Sequence, residues 1–330
     1  MAWRWGFFSR AAQQTGGDFL LAHLGQVAGA EPLAVHGELR FSEEIAVVVY
    51  RFREPVPHLL YVTYGLSRTR SSAPTAGTQD ELTLRIPDCG DPPAWPVHRL
   101  RRLARYRRSS GNPIEPGHYM DLRAPVCEGA TLSGFIFVND PVVPLLTART
   151  GRVRFLNAVP VTADELDAAL CWDPLKFAGV LGDTLPLGVG DPARASLLID
   201  AAFSHPLASL TERDGSSIAA VSSGYFAVDE SGRIDLTSLA SEHVLRAMKW
   251  RLGFDRSFAV VGEANAGWVR FVPDVEVAVN YGEDEFSGRH LAVGVNRMLR
   301  HEILAVLGTE PGTYRLSTAP LVFHVIDPAR

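Results

Sequence analysis

Leu59-Leu60-Tyr61-Val62-Thr63-Tyr64 is an unbroken run of apolar, aromatic and β-branched residues, too short for a stable helix and of the length of a buried strand. The stretch before it, Glu44-Ile45-Ala46-Val47-Val48-Val49-Tyr50-Arg51-Phe52, has the same character, and Pro55 and Pro57 break the chain between the two. After a Ser/Thr/Ala/Gly-rich linker, Ser71 to Thr78, comes a third strand candidate, Glu81-Leu82-Thr83-Leu84-Arg85-Ile86. Three such runs in succession predict consecutive strands of one sheet.

Helical patterns flank this nucleus. Leucines recur on one face over residues 18–30, and Val97 to Arg108 sets Leu100, Leu103 and Ala104 opposite Arg101, Arg102, Arg105 and Arg108. Two further strands are expected, Leu132 to Val138 and Val153 to Val159. A helix then opens with a capping box, Thr162 as cap and Glu165 three residues on. The second half reads as strands at Gly224–Val228, Phe258–Val261, Trp268–Val272, Val275–Val279 and Leu321–Ile326, with a helix from Asn296 to Leu307 ended by Gly308. Between the halves the composition turns to Ala, Ser and Gly, which places a boundary near Ala202 to Asp214. The expectation is an α+β protein of two mixed domains, residues 18–205 and 206–330. Its 330 residues fit a prior of roughly 100 to 200 per domain.

Composition narrows the function. The chain is 46% hydrophobic, 21% charged and carries a net charge of -5, a balance that predicts a folded protein whose overall field repels nucleic acid and anionic membranes. Three widely spaced cysteines, Cys89, Cys127 and Cys171, form no CxxC pair, so neither a disulfide framework nor a zinc site is expected, and a reducing cytoplasm fits them best. The aromatic stretch Met1 to Phe8 lacks the apolar run of a signal peptide, and no apolar run of ~18 residues is long enough to span a membrane.

Motifs for catalysis are weak. Gly188-Val189-Gly190-Asp191-Pro192-Ala193 begins like a dinucleotide loop, but Ala193 takes the third glycine's place and Pro192 sits inside it, so a plain turn is the better reading. His301-Glu302-Ile303-Leu304-Ala305 begins like a zinc-protease helix, yet Ala305 stands where the second ligand is required. The acidic groups Glu43-Glu44 and Glu283-Asp284-Glu285 read as solvated turns or strand ends. No catalytic residue, metal or cofactor is therefore expected. The dense basic helix is the one charged feature, and Arg101, Arg102, Arg105 and Arg108 are candidates for holding an anion or nucleic acid.

Leu60 to Ser67, Glu81 to Arg85, Pro92-Pro93-Ala94-Trp95-Pro96, Leu103 to Tyr106, Gly151 to Leu156 and Glu165-Leu166 resemble, in order and spacing, the signatures of the Suppressor of fused family. Arg251 to Phe258, Gly312-Thr313-Tyr314 and Leu321 to Asp327 are similar to the family's C-terminal domain. The resemblance implies two α+β domains with an interdomain cleft that clamps an extended peptide. In animals it implies a clamp on Gli-type transcription factors, in bacteria an immunity protein that neutralises a toxin. It implies a non-catalytic protein that sequesters a protein partner, and it points to Tyr106, His118, Glu242, His243 and Leu245 as contacts. Where animal members carry an acidic residue after the glycine at Gly117, this chain has His118, which removes a fixed negative charge. The animal ligand is accordingly not expected.

Overall fold

The computed structural model describes residues 17–39, 45–67, 78–88, 90–148, 151–263, 266–284 and 288–327. The N-terminal aromatic stretch, the linker up to residue 77, Glu43-Glu44, Cys89 and Glu285 lie outside them. Contacts divide the chain into one unit running to Leu166 and including Pro174–Ile199, and a second made of Asp167–Asp173 and everything from Asp200 on.

In chain order the first unit contains α1 (Gly17–Ala28), β1 (Ala34–His36), β2 (Ala46–Phe52), β3 (His58–Tyr64), β4 (Thr78–Pro87) and α2 (Trp95–Ser110). It continues with β5 (Tyr119–Asp121), β6 (Leu132–Asn139), β7 (Leu146–Ala148), β8 (Gly151–Thr162), the start of α3 (Ala163–Cys171) and α4 (Pro174–Thr184). Its strands form one eight-stranded sheet in the order β1-β2-β3-β4-β8-β6-β5, with β7 against β8. Only β4 and β8 run parallel; the other pairs are antiparallel.

The opening hexapeptide explains this layering. Every residue of β3 is buried. Leu59 and Tyr61 pack on one side with Leu100 and Leu103 of α2, and Leu60, Val62 and Tyr64 pack on the other with Leu20 and Leu24 of α1. A strand covered on both faces has no need to alternate, which is why it reads as a continuous apolar run. At ~25 cal/mol per Å² of apolar surface, that two-sided burial is the main force holding the sheet between its helices.

Local signals set two helix ends, the second of them as the sequence predicts. Gly111 adopts φ 71°, and its N–H donates to Arg107 O at 3.2 Å, closing α2. At α3, Thr162 N–H donates to Glu165 Oε2 (3.0 Å) while Glu165 N–H donates to Thr162 Oγ1 (3.4 Å), the reciprocal capping box.

The second unit continues with α5 (Ala201–Asp214), β9 (Ala220–Ser223), β10 (Phe226–Val228), β11 (Arg233–Thr237), α6 (Ser238–Trp250) and β12 (Phe258–Gly262). Then follow β13 (Trp268–Pro273), β14 (Ala278–Asp284), β15 (Gly288–Val295), α7 (Arg297–Val306), β16 (Gly312–Arg315) and β17 (Val322–Ile326). A four-stranded sheet β10-β11-β17-β16 and a five-stranded sheet β14-β15-β13-β12-β9 share one core. In it Ile234 and Phe323 meet Phe271 and Leu291, together with Val244 of α6 and Ile303 of α7.

Two stretches differ from the expectation. Ala202–Asp214, linker-like in composition, forms α5, because Asp200 caps it by accepting Ala202 N–H at 2.8 Å and Leu207 and Thr211 turn inward. Val275 to Val277 is a turn, in which the Asp274 carboxylate accepts Glu276 N–H at 3.3 Å, and β14 begins only at Ala278. Among the described residues no helix is long and apolar enough to cross a membrane.

Candidate functional site

Strand β4 carries two different faces. Leu82, Leu84 and Ile86 enter the core beneath α2, while Glu81, Thr83 and Arg85, two residues apart and therefore on the opposite face, are buried as polar groups. Glu81 sits at the mouth of the turn that follows β3. Its carboxylate accepts from Thr63 Oγ1 (2.5 Å), Ser67 Oγ (2.6 Å) and the backbone N–H groups of Gly65, Leu66 and Ser67 (3.0, 3.3 and 3.0 Å). Burial pushes the pKa of Glu81 up against the pull of these donors. This contact explains why Thr63-Tyr64-Gly65-Leu66-Ser67 and Glu81-Leu82-Thr83-Leu84-Arg85 go together in sequence: the second segment supplies the acceptor around which the first folds.

A second polar group joins the far ends of α2 and β5. Asp80 accepts from Arg107 Nη2 (2.9 Å) and from Arg154 Nε (2.8 Å), and Arg154 Nη1 donates to Glu115 Oε2 (2.6 Å). The hydrogen bond from Arg154 holds the Glu115 carboxyl below its ordinary range, against a smaller opposing effect of burial. Glu115 N–H in turn donates to His118 Nδ1 at 3.2 Å, which makes Nδ1 an acceptor and leaves Nε2 to carry the proton in the neutral ring. His118 is exposed and stands at the head of β5, the last strand of the sheet.

The geometry of β5 defines an edge. Phe137 N–H donates to His118 O and Leu122 N–H to Ser133 O, so in the alternation of an antiparallel pair His118, Met120 and Leu122 face β6. The main-chain N–H and C=O of Asp121 consequently point away from the sheet.

Tyr106 lies on α2 with 43% of its surface exposed, one residue before the Arg107 that binds Asp80. Of the basic residues, Arg101 donates to the carbonyls of Ile45 and His36 (both 3.0 Å), and Arg108 donates to Gly65 O (2.7 Å). These two guanidinium groups tie α2 to the sheet margin, while Arg102 and Arg105 are exposed.

In the second unit, Glu242, His243 and Leu245 share α6, which starts where Thr237 Oγ1 accepts Ala240 N–H (3.2 Å). Arg246 bonds to three groups there, Glu242 Oε1 (3.1 Å), His243 Nδ1 (2.6 Å) and Asp167 Oδ1 (2.5 Å). Leu245 packs against the core. The structure thus groups Glu242 and His243 around one arginine, and sets Tyr106 and His118 at opposite ends of the Arg107–Asp80–Arg154–Glu115 chain. Sequence reasoning missed that chain: Arg154 and Asp80 are 74 residues apart, and only their pairing on parallel β4 and β8 makes them neighbours.

The comparisons with known proteins follow this division. The family profile described as Suppressor of fused protein (SUFU) matches residues 42–195. The human and mouse Suppressor of fused homologs are each 28% identical over 185 residues, which is 50% of this chain but 38% of theirs, so the match spans well under half of those relatives. The crystal structure of Drosophila Suppressor of Fused is similar over 98% of this chain and 100% of its own, with a TM-score of 0.69 at 17% identity. A chain of the Sufu–Fu complex crystal structure is similar over 59% of this chain and 96% of its own, with a TM-score of 0.52 at 22% identity. At such identities the structural likeness speaks for the fold, a mixed α+β arrangement of the Suppressor of fused kind. Residues 42–195 thus form a Suppressor of fused domain.

Proposed function

We propose that this protein is a non-catalytic binding protein that masks a protein partner, taking an extended segment of it along the free edge of β5. The observation that carries the reading is the main chain of Asp121, directed away from β6 at the end of an eight-stranded sheet, with His118 at the head of the same strand. An added strand would gain main-chain hydrogen bonds, and its alternate side chains would be sorted by the residues beside the edge. The Suppressor of fused domain supports the class of function, and the Sufu–Fu complex is an example of a similar protein crystallised with a partner. A clamp in an interdomain cleft that includes Glu242, His243 and Leu245, a toxin-immunity role and a cytoplasmic location are supported by the resemblance and the cysteine content alone. Capture of partners on the tagged full chain from its native cells, followed by mass spectrometry, tests the proposal. Reproducible recovery of one protein is expected, and consistent recovery of none contradicts it.

A further inference from the structure

In the second unit, β13 and β15 are parallel neighbours that end side by side, Val272 beside Gly294 and Pro273 beside Val295, and α7 starts immediately after β15. A crevice beyond these carboxyl ends is lined by Val272, Pro273 and Val295 themselves. Here it is a groove of 740 Å³, inside the ~300–1,000 Å³ span of sites that take small ligands or short peptides. Its walls are apolar at Leu252, Val272 and Val275, the last with 90% of its surface exposed.

Four charged residues line it, Arg297 and Arg300 of α7, Asp255 just after residues 252–254, and Asp274 just after β13. No ion pair within 4.0 Å joins any of them to another of the described residues, whereas arginines elsewhere in the chain, such as Arg85, Arg154, Arg194 and Arg246, are engaged by carboxylates. The Arg300 guanidinium lies over Gly253, where a Cβ would stand 2.5 Å from Nη1, and its buried Nε meets no acceptor. A groove holding two unpaired cations and two unpaired carboxylates is matched poorly by a ligand of one sign, since either sign meets two like charges. It is matched by a ligand carrying both signs.

We propose that this groove is a second recognition site, which takes a short bipolar peptide segment of a protein partner, with an acidic side chain toward Arg297 and Arg300 and a basic side chain toward Asp255 and Asp274. The site is independent of the β5 edge. An apolar residue between the two charges would lie against Val272 and Val275, which gives the contact its hydrophobic part.

The test uses the purified full chain and fluorescein-labelled hexapeptides with one glutamate and one lysine set one to four residues apart, beside all-acidic and all-basic hexapeptides and a single-stranded oligonucleotide. Anisotropy is expected to show saturable binding of at least one bipolar spacing, weakened about tenfold or more by Arg300→Gln and by Asp274→Asn and unchanged by Asp121→Pro. Asp274→Asn keeps an oxygen for Glu276 N–H, and Arg297→Gln, at an exposed position, is a second variant in which the fold is not at risk. Equal or tighter binding of the all-acidic peptide or of the oligonucleotide overturns the proposal, as does the absence of saturable binding at every spacing. Binding that survives all three groove substitutions overturns it too.

Discussion

Arg85 Nη1 and Nη2 each lie 2.7 Å from an oxygen of Asp140, and both side chains are fully buried. The pair is bidentate, and Asp140 also accepts from Thr83 Oγ1 (2.5 Å) and from the N–H groups of Val142 and Val143 (2.9 and 2.7 Å). Burial would raise the Asp140 pKa, but Arg85 and these donors outweigh it and leave it lowered. Removing one partner strands the other charge. Asp140→Asn is therefore expected to cost about 3–5 kcal/mol in urea unfolding, and the double apolar replacement Arg85→Met with Asp140→Leu to cost less than the single change. A double variant no more stable than Asp140→Asn contradicts this account of β4.

Glu81→Gln tests the turn after β3. The amide keeps the side chain's shape but aims an NH2 at a site built of donors, so at least one of the hydrogen bonds from Thr63, Ser67 and the 65–67 backbone is lost. A loss of about 1–3 kcal/mol is expected in urea unfolding. Amide hydrogen exchange should localise faster opening to Gly65, Leu66 and Ser67. Unchanged protection there contradicts the assigned role.

Glu302 provides a pH signature. Its carboxylate accepts Ser317 Oγ and N–H (both 2.5 Å) and Thr318 N–H (2.8 Å), and these bonds hold its pKa at about 2, from an ordinary 4.5. A lowered carboxylate pKa stabilises the fold above the ordinary value, and that contribution is lost as pH falls from about 4.5 toward about 2. NMR titration should show the Ser317 and Thr318 amide signals moving only at the acid end of that window, and Glu302→Gln should abolish the movement. Titration of Glu302 near 4.5 contradicts it.

The basic helix separates two kinds of arginine. Arg101 and Arg108 are bound to backbone carbonyls, so Arg101→Ala is expected to lower stability by about 1–3 kcal/mol. Arg102→Ala with Arg105→Ala should leave stability within about 0.5 kcal/mol. If the exposed pair held nucleic acid, affinity for an oligonucleotide would fall steeply with salt and vanish in that double variant. The partner-binding account expects no such binding at physiological salt.

Much of the first domain was legible because its signals are local. The apolar run of β3, the Thr162–Glu165 capping box and the apolar face of α2 are each read within a few residues. The helix α5 was not, since its alanines and serines, with Pro206 inside, resemble a linker until Asp200 is seen to cap it. The site was legible only in part. His118 could be singled out by resemblance, but its attachment through Glu115, Arg154 and Asp80 to Arg107 depends on β4 and β8 lying side by side. The anchoring of Arg101 and Arg108 likewise uses carbonyls 43 to 65 residues away.

The central claim is that the edge of β5 binds a protein partner. Because Asp121 N–H points away from β6, Asp121→Pro removes a donor that an added strand would use and spares the β5–β6 ladder. Asp121→Asn is its control, as it keeps that N–H and changes only the carboxylate that binds Arg123. The most direct measurement is the affinity of the captured partner for the wild-type chain and for both variants, with circular dichroism confirming that each is folded. Weakening of about tenfold or more in Asp121→Pro, with Asp121→Asn near wild type, is the predicted result. Equal affinity for all three folded proteins would contradict it.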